Sequence, residues 1–139
     1  MINRLFKVAI IGAGIGKEHL NAFNTQLDRF SVKYICDLDV DKAKRLISNN
    51  NTKITEDYEE VLSDDEIDLI DICLPPDLHF EYVKKALEAG KHAICEKPLA
   101  GSLEEVDQLI KISQITKKNI YPVFQYRFGK GTKQLNLLI

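Results

Sequence analysis

Short apolar runs of strand length alternate along this chain with segments whose apolar positions recur at helical spacing. The strand-like runs fall at about residues 5–11, 31–36, 52–54, 67–74, 92–95 and 120–124. The helical segments lie at about 14–27, 40–48, 58–62 and 76–88, then from Leu103 onward and from Thr132 onward. Leu20 and Phe23 mark the first helix. Leu78, Tyr82, Val83, Ala86 and Leu87 form a stripe on the longest central one, and Leu103, Val106, Leu109 and Ile110 share a face later on. The boundaries carry their own chemistry. Asp39 suits a helix cap, the polar run Ser48 to Asn51 stops a helix, Gly90 ends another, and Ser102 with Glu105 spells a capping box. A last helix would carry Leu135, Leu138 and Ile139.

Repeated strand–helix–strand units predict an α/β domain with a mainly parallel sheet, right-handed crossovers and helices on both faces, a doubly wound three-layer architecture of Rossmann type. The run at 67–74 suits a strand covered on both sides. Asp68 fits the edge of that strand, whereas Asp71, in the middle of it, has no place in the pattern. Ligands of such sheets bind beyond the carboxyl ends of the strands. Gly12, Asp37, Pro75 and Glu96 stand at four predicted strand ends and so converge on one rim.

The first of those ends is a glycine cluster, Gly12-Ala13-Gly14-Ile15-Gly16, following the strand Phe6 to Ile11 and opening a helix. Glycines let the backbone turn sharply and approach phosphates closely, and a helix start offers free N–H groups to an anion. Asp37 comes 25 residues after Gly12, near the spacing of the acid that binds an adenosine ribose. A carboxylate there accepts both ribose hydroxyls and repels a 2′-phosphate, which favours NAD over NADP. Asp37 also has a plainer reading as a turn residue. The usual third glycine position is Lys17, so Gly16 comes one residue early. Either the loop is a residue short or Gly16 has a different job.

Composition narrows the class. At 139 residues, the chain has room for one domain with a core. Hydrophobic residues make up 45% and charged residues 29%, an ordinary globular balance. The net charge of −2, without a basic block, gives no footing for nucleic acid, and no apolar run reaches membrane-spanning length. Cys36, Cys73 and Cys95 are widely spaced, so neither a metal site nor a disulfide framework is expected. Reduced thiols and a start without signal-peptide layout suggest the cytoplasm.

Three further segments are specific. Pro75-Pro76-Asp77-Leu78-His79, the run Ala89 to Leu99 containing Glu96-Lys97-Pro98, and Phe124-Gln125-Tyr126-Arg127-Phe128 together resemble the Gfo/Idh/MocA oxidoreductases, over essentially the whole chain. The departures are the short glycine loop, Leu74 where a small hydroxyl residue is frequent, and Gln125 where Asn is frequent. The resemblance implies the N-terminal NAD-binding domain of such an enzyme over residues 1–139, without the C-terminal substrate domain and its Asp/His proton-transfer pair.

By that resemblance Lys97 is the catalytic candidate, beside the nicotinamide and the reacting carbon, and it also touches the cofactor. Gly12, Gly14, Ile15, Gly16, Asp37, Leu74, Pro75, Pro76, His79 and Glu96 complete the cofactor site. Glu96 either orients Lys97 or touches the nicotinamide ribose, and Pro98 is a candidate for a cis bond. His79 is either cofactor-proximal or a helix-start residue. His19 is read as a helix-face residue contacting the loop, His92 as structural, and Arg127 either as facing the active-site floor or as pairing with a carboxylate to hold the domain end. The implied reaction is hydride exchange between NAD(H) and a hydroxyl-bearing carbon of a sugar, cyclitol or sugar-nucleotide. The full-length protein is then expected to be a homo-oligomer, and the apolar end at Leu137 to Ile139 suggests a piece of a longer chain. The alternatives are a non-catalytic dinucleotide sensor or scaffold, and a glycosidase that uses NAD transiently.

Overall fold

The computed structural model describes residues 4–47 and 51–135. Six strands, β1 (Phe6–Ile11), β2 (Phe30–Cys36), β3 (Lys53–Thr55), β4 (Leu69–Ile72), β5 (His92–Cys95) and β6 (Ile120–Pro122), form one sheet in the order β3-β2-β1-β4-β5-β6. Every neighbouring pair is parallel. The order reverses between β1 and β4, which creates the crevice where doubly wound sheets bind ligands. The helices are α1 (Gly16–Asn24), α2 (Val40–Lys44), α3 (Tyr58–Ser63), α4 (His79–Glu88), α5 (Leu103–Thr116) and α6 (Lys130–Leu135).

Alternation along β1 divides the core into two layers. Ala9 and Ile11 face the cluster that holds Tyr58 and Val61 of α3, Val83, Ala86 and Leu87 of α4, and Leu109 of α5. Val8 and Ile10 face the other cluster, with Leu20 of α1 and Ala43 of α2. All four β1 side chains are buried, so the strand reads as a continuous apolar run, as a strand covered on both faces must.

The elements are trimmed relative to the sequence pattern. The first helix spans 16–24 rather than 14–27, because residues 13–15 form the glycine turn and Thr25 closes the far end by donating its hydroxyl to the Ala22 carbonyl at 2.7 Å. α2 ends at Lys44 and passes into a turn. The Ser48–Asn50 part of the proposed stop, and Leu138 and Ile139, lie outside the described residues. The segment from Pro76 starts as a 3-10 turn over Pro76–Leu78 before α4 begins. The ladder of β4 covers only Leu69–Ile72, although Ile67 is buried beside it. The strand-edge role holds for Asp68, which accepts the Lys7 N–H at 3.0 Å.

The stop and start signals behave physically. Gly90 N–H bonds the Leu87 carbonyl and Lys91 N–H the Ala86 carbonyl, both at 2.9 Å, a Schellman ending to α4. Ser102 accepts the Glu105 N–H at 3.2 Å to cap α5. The Glu105 carboxylate turns to Gly101 N–H at 2.7 Å rather than closing the box on Ser102 itself.

Candidate functional site

Backbone hydrogen bonds that continue the sheet by one residue line up the strand ends. Gly12 N–H donates to Cys36 O at 2.8 Å, Cys73 N–H to Ile11 O at 2.8 Å and Glu96 N–H to Ile72 O at 3.0 Å. The ends of β2, β1, β4 and β5 therefore form one continuous rim, and Asp37, the glycine turn, Leu74-Pro75-Pro76 and Glu96-Lys97 all stand on it.

The glycines divide the work. Gly12 has φ +101°, and a Cβ there would sit 2.5 Å from the Cys73 carbonyl oxygen, so both its conformation and its neighbour exclude a side chain. A Cβ on Gly16, the first residue of α1, would meet Ile10 Cγ2 at 2.8 Å and Cys73 Cβ at 3.6 Å. Gly16 therefore does the third glycine's job of close helix–strand packing. It comes one residue early because the turn is one residue shorter. At Gly14, by contrast, a Cβ would find only the Lys42 Nζ at 3.7 Å. Nothing in the packing needs that glycine, and it lies exposed on the turn ahead of the α1 start, where a Cβ would project into open space. Ile15 is exposed beside it at the helix N-cap position, and Lys17 is an exposed first-turn lysine.

Asp37 is tied to this turn. One carboxylate oxygen accepts the Ala13 N–H at 2.6 Å and the other the Asp39 N–H at 2.8 Å, while the Lys42 ammonium stands 3.9 Å away. Asp39 caps α2 through the Lys42 N–H at 2.9 Å, leaving Asp37 on the rim.

Pro75 and Pro76 are exposed and Leu74 half-buried on the loop after β4. His79 is fully buried, and its ring nitrogens reach the carbonyl oxygens of Leu74 and Pro98. At the start of α4 it staples the loop after β4 to the loop after β5. The Lys97–Pro98 bond is cis, and Lys97 is exposed.

Asp71 points, like Leu69 and Cys73, toward the α1 side of the sheet and is wholly buried. His19 of α1 meets it there, with Nδ1 at 2.9 and 3.0 Å from the two carboxylate oxygens and Nε2 at 3.0 Å from Glu96 Oε1. Both ring nitrogens face carboxylates, so both donate, which makes the ring an imidazolium. The hydrogen bond to Asp71 chiefly, aided by Glu96, lifts the His19 pKa to about 9 against the opposing effect of burial. Burial pushes the Asp71 carboxyl up, and the imidazolium counters it. His19, Asp71 and Cys73 bring ligand-type atoms within 4.8 Å of one another. Both His19 nitrogens are already occupied, however, and burial drives the Cys73 thiol up, away from the thiolate a metal needs. The cluster is an ion-pair network. An acid facing inward in a buried parallel strand requires a charged partner, and that rule was the available signal.

The other sequence-level residues sort plainly. Glu96 also accepts the Lys97 N–H at 3.2 Å, so it contacts the backbone of Lys97. His92 is structural, accepting the Asn119 N–H at 3.1 Å. Among the described residues Arg127 pairs with no carboxylate, so that alternative is not seen; it lies exposed on a 3-10 turn (Gln125–Phe128). The three cysteines are buried and unpaired.

Residues 6–124 match the Gfo/Idh/MocA family, described as an oxidoreductase family with an NAD-binding Rossmann fold. The chain belongs to that family. It is 31% identical over 138 residues to D-glucoside 3-dehydrogenase of Escherichia coli (strain K12), covering 97% of this chain and 39% of the relative. Among solved structures, KijD10, a 3-ketoreductase from Actinomadura kijaniata in complex with TDP-benzene and NADP, superposes with a TM-score of 0.88 at 27% identity, covering 97% of this chain and 43% of that one. The WlbA dehydrogenase from Chromobacterium violaceum, in complex with NADH and UDP-GlcNAcA, gives 0.87 at 26% identity, covering 97% and 39%. This Gfo/Idh/MocA chain thus spans about two fifths of the length of the relatives it matches. It is the NAD-binding Rossmann domain of the family. Among the described residues no helix is long and apolar enough to cross a membrane.

Proposed function

We propose that this chain holds NAD(H) on the β1–β4 rim for an oxidoreductase acting on a hydroxyl-bearing carbon of a sugar, cyclitol or sugar-nucleotide. The observation that carries the reading is the split among the glycines: Gly12 and Gly16 are required by packing, while Gly14, exposed on the turn between them, is not, which supports a role for it toward a ligand. The α1 start beyond it supplies N–H groups and a positive dipole end for the pyrophosphate. Asp37 would take the adenosine ribose hydroxyls, favouring NAD over NADP. Gly12, Gly14, Ile15, Gly16, Leu74, Pro75 and Pro76 would line the path, with Glu96 and Lys97 at its far end.

NAD accepts or donates the hydride when bound. The Lys97 ammonium would orient the substrate hydroxyl and stabilise the oxygen as its proton leaves. Glu96 fixes the backbone of Lys97, and the His79 staple holds the loops on either side in register. The substrate class is supported by the relatives, whose names cover a glucoside and sugar-nucleotides. Substrate selection is assigned to the part of such enzymes outside the matched region. The three unpaired cysteines support a reducing, cytoplasmic setting.

The test is NADH formation from a panel of polyols, glucosides and sugar-nucleotides. A protein that joins this domain to the further length its relatives carry should reduce NAD with at least one class, and Lys97→Ala should abolish this at saturating NAD. Turnover that survives Lys97→Ala removes Lys97 from the chemistry.

A further inference from the structure

We propose that His19 is a positioning residue. Fixed by Asp71, it holds Glu96 and through it the Lys97 loop, and so sets the half of the site that receives the nicotinamide end of the cofactor. This rests on the reading that the rim binds a dinucleotide, and it assigns a task to a residue outside the rim.

The sheet order supplies the first argument. β2, with Asp37 at its end, lies on one side of β1, and β4 and β5 lie on the other. A dinucleotide with its adenosine at Asp37 and its pyrophosphate at the glycine turn must carry its second nucleoside toward the ends of β4 and β5, where Glu96 and Lys97 stand. That half has no glycine cluster at its strand ends to shape it. It has the Glu96 loop, whose side chain is fixed from below.

The contacts supply the second. His19 lies three residues after Gly16 on α1, with a side chain 16% exposed. It reaches across to β4, where Asp71 has no solvent contact and no part in the apolar core. Its Nε2 then reaches Glu96, whose second oxygen accepts the Lys97 N–H. The chain of contacts runs α1, β4, β5 and ends at the backbone of Lys97. A buried ion pair is weak evidence for stability, since desolvation offsets much of its attraction. Its geometric effect is direct: it ties the Glu96 side chain, and with it the loop after β5, to the helix that follows the glycine turn.

Asp37, Ala13 and Gly14 share no hydrogen bond with this network. Loss of His19 should therefore leave the adenosine half of the site intact.

The experiment is calorimetric titration of the 139-residue chain with NAD and, separately, with ADP, which presents only the adenosine half. Wild type should bind both, NAD more tightly. His19→Ala should lower NAD affinity at least tenfold while ADP affinity stays within about twofold. Asp71→Asn offers an isosteric partner to Nδ1 and leaves Nε2 free to donate to Glu96, so it should hold NAD affinity within about threefold and guard against a folding failure of the alanine variant. His19→Gln, which cannot span both carboxylates, should resemble His19→Ala. Equal losses for NAD and ADP, with a matching fall in melting temperature, would make His19 merely structural and overturn the proposal. Unchanged NAD affinity in both His19 variants would overturn it too. Failure of wild type to bind either ligand instead refutes the dinucleotide reading itself.

Discussion

The carboxylate of Asp37 accepts the Ala13 N–H at 2.6 Å, so the acid that ends β2 is fastened to the glycine turn that ends β1. Two rim segments 24 positions apart in sequence thereby become one surface. Charge-assisted bonds of this kind are among the stronger ones, worth roughly 1.5–3 kcal/mol each. The same carboxylate also holds the Asp39 N–H, which fixes the start of α2.

Removing that acid should have a double effect. Asp37→Ala should weaken NAD binding about tenfold and narrow the preference over NADP, since the carboxylate facing a 2′-phosphate is gone. Lys42, whose ammonium stands 3.9 Å from Asp37, would temper that repulsion. Lys42→Ala should therefore widen the preference for NAD. Titrations of both cofactors against each variant decide this, and an unchanged NAD-to-NADP ratio in Asp37→Ala would remove Asp37 from the ribose site.

The glycines should separate binding from folding. Gly14→Val finds open space and should abolish NAD binding while the melting temperature and circular-dichroism spectrum stay near wild type. Gly16→Val drives a side chain into Ile10 and the β4 end, and overpacking of this kind costs roughly 1–3 kcal/mol. Its melting temperature should drop by several degrees as well. Equal thermal effects from the two substitutions would contradict the division.

Much of this was legible in the chain, and the reasons are local. Strands covered on both faces read as apolar runs, so β1 and β4 stood out. Gly90 and Ser102 carry their stop and start chemistry in their own side chains or lack of one. The ends of α1 and α2 were less visible, because the sequence pattern continues past the last hydrogen-bonded turn. Gly16 was ambiguous in sequence: only its distance to Ile10 shows that a shorter turn brings the third glycine forward. His79 and Asp71 were opaque for a common reason. Each is a polar residue with a partner on another element, 19 positions away at Pro98 for His79 and 52 at His19 for Asp71. Only the assembled sheet brings them together.

The pH response follows from His19. Its pKa is raised from 6.5 to about 9, so the stability it contributes is fully present below about pH 6.5 and is lost as pH rises through about 9. At its largest this is on the order of 3 kcal/mol. The groups facing it are Asp71 and Glu96, with the Cys73 thiol adjoining Asp71. Melting temperature measured from pH 6 to pH 9 should fall by several degrees more in wild type than in His19→Gln. Parallel curves for the two proteins would mean that the imidazole is not held charged between the carboxylates.

The most direct measurement is calorimetric titration of the folded 139-residue chain with NAD beside Gly14→Val. One NAD per chain, bound more tightly than NADP and lost in the variant, is the result this account predicts. A folded wild-type chain that takes up no NAD, or a Gly14→Val chain that binds as well as wild type, would contradict it.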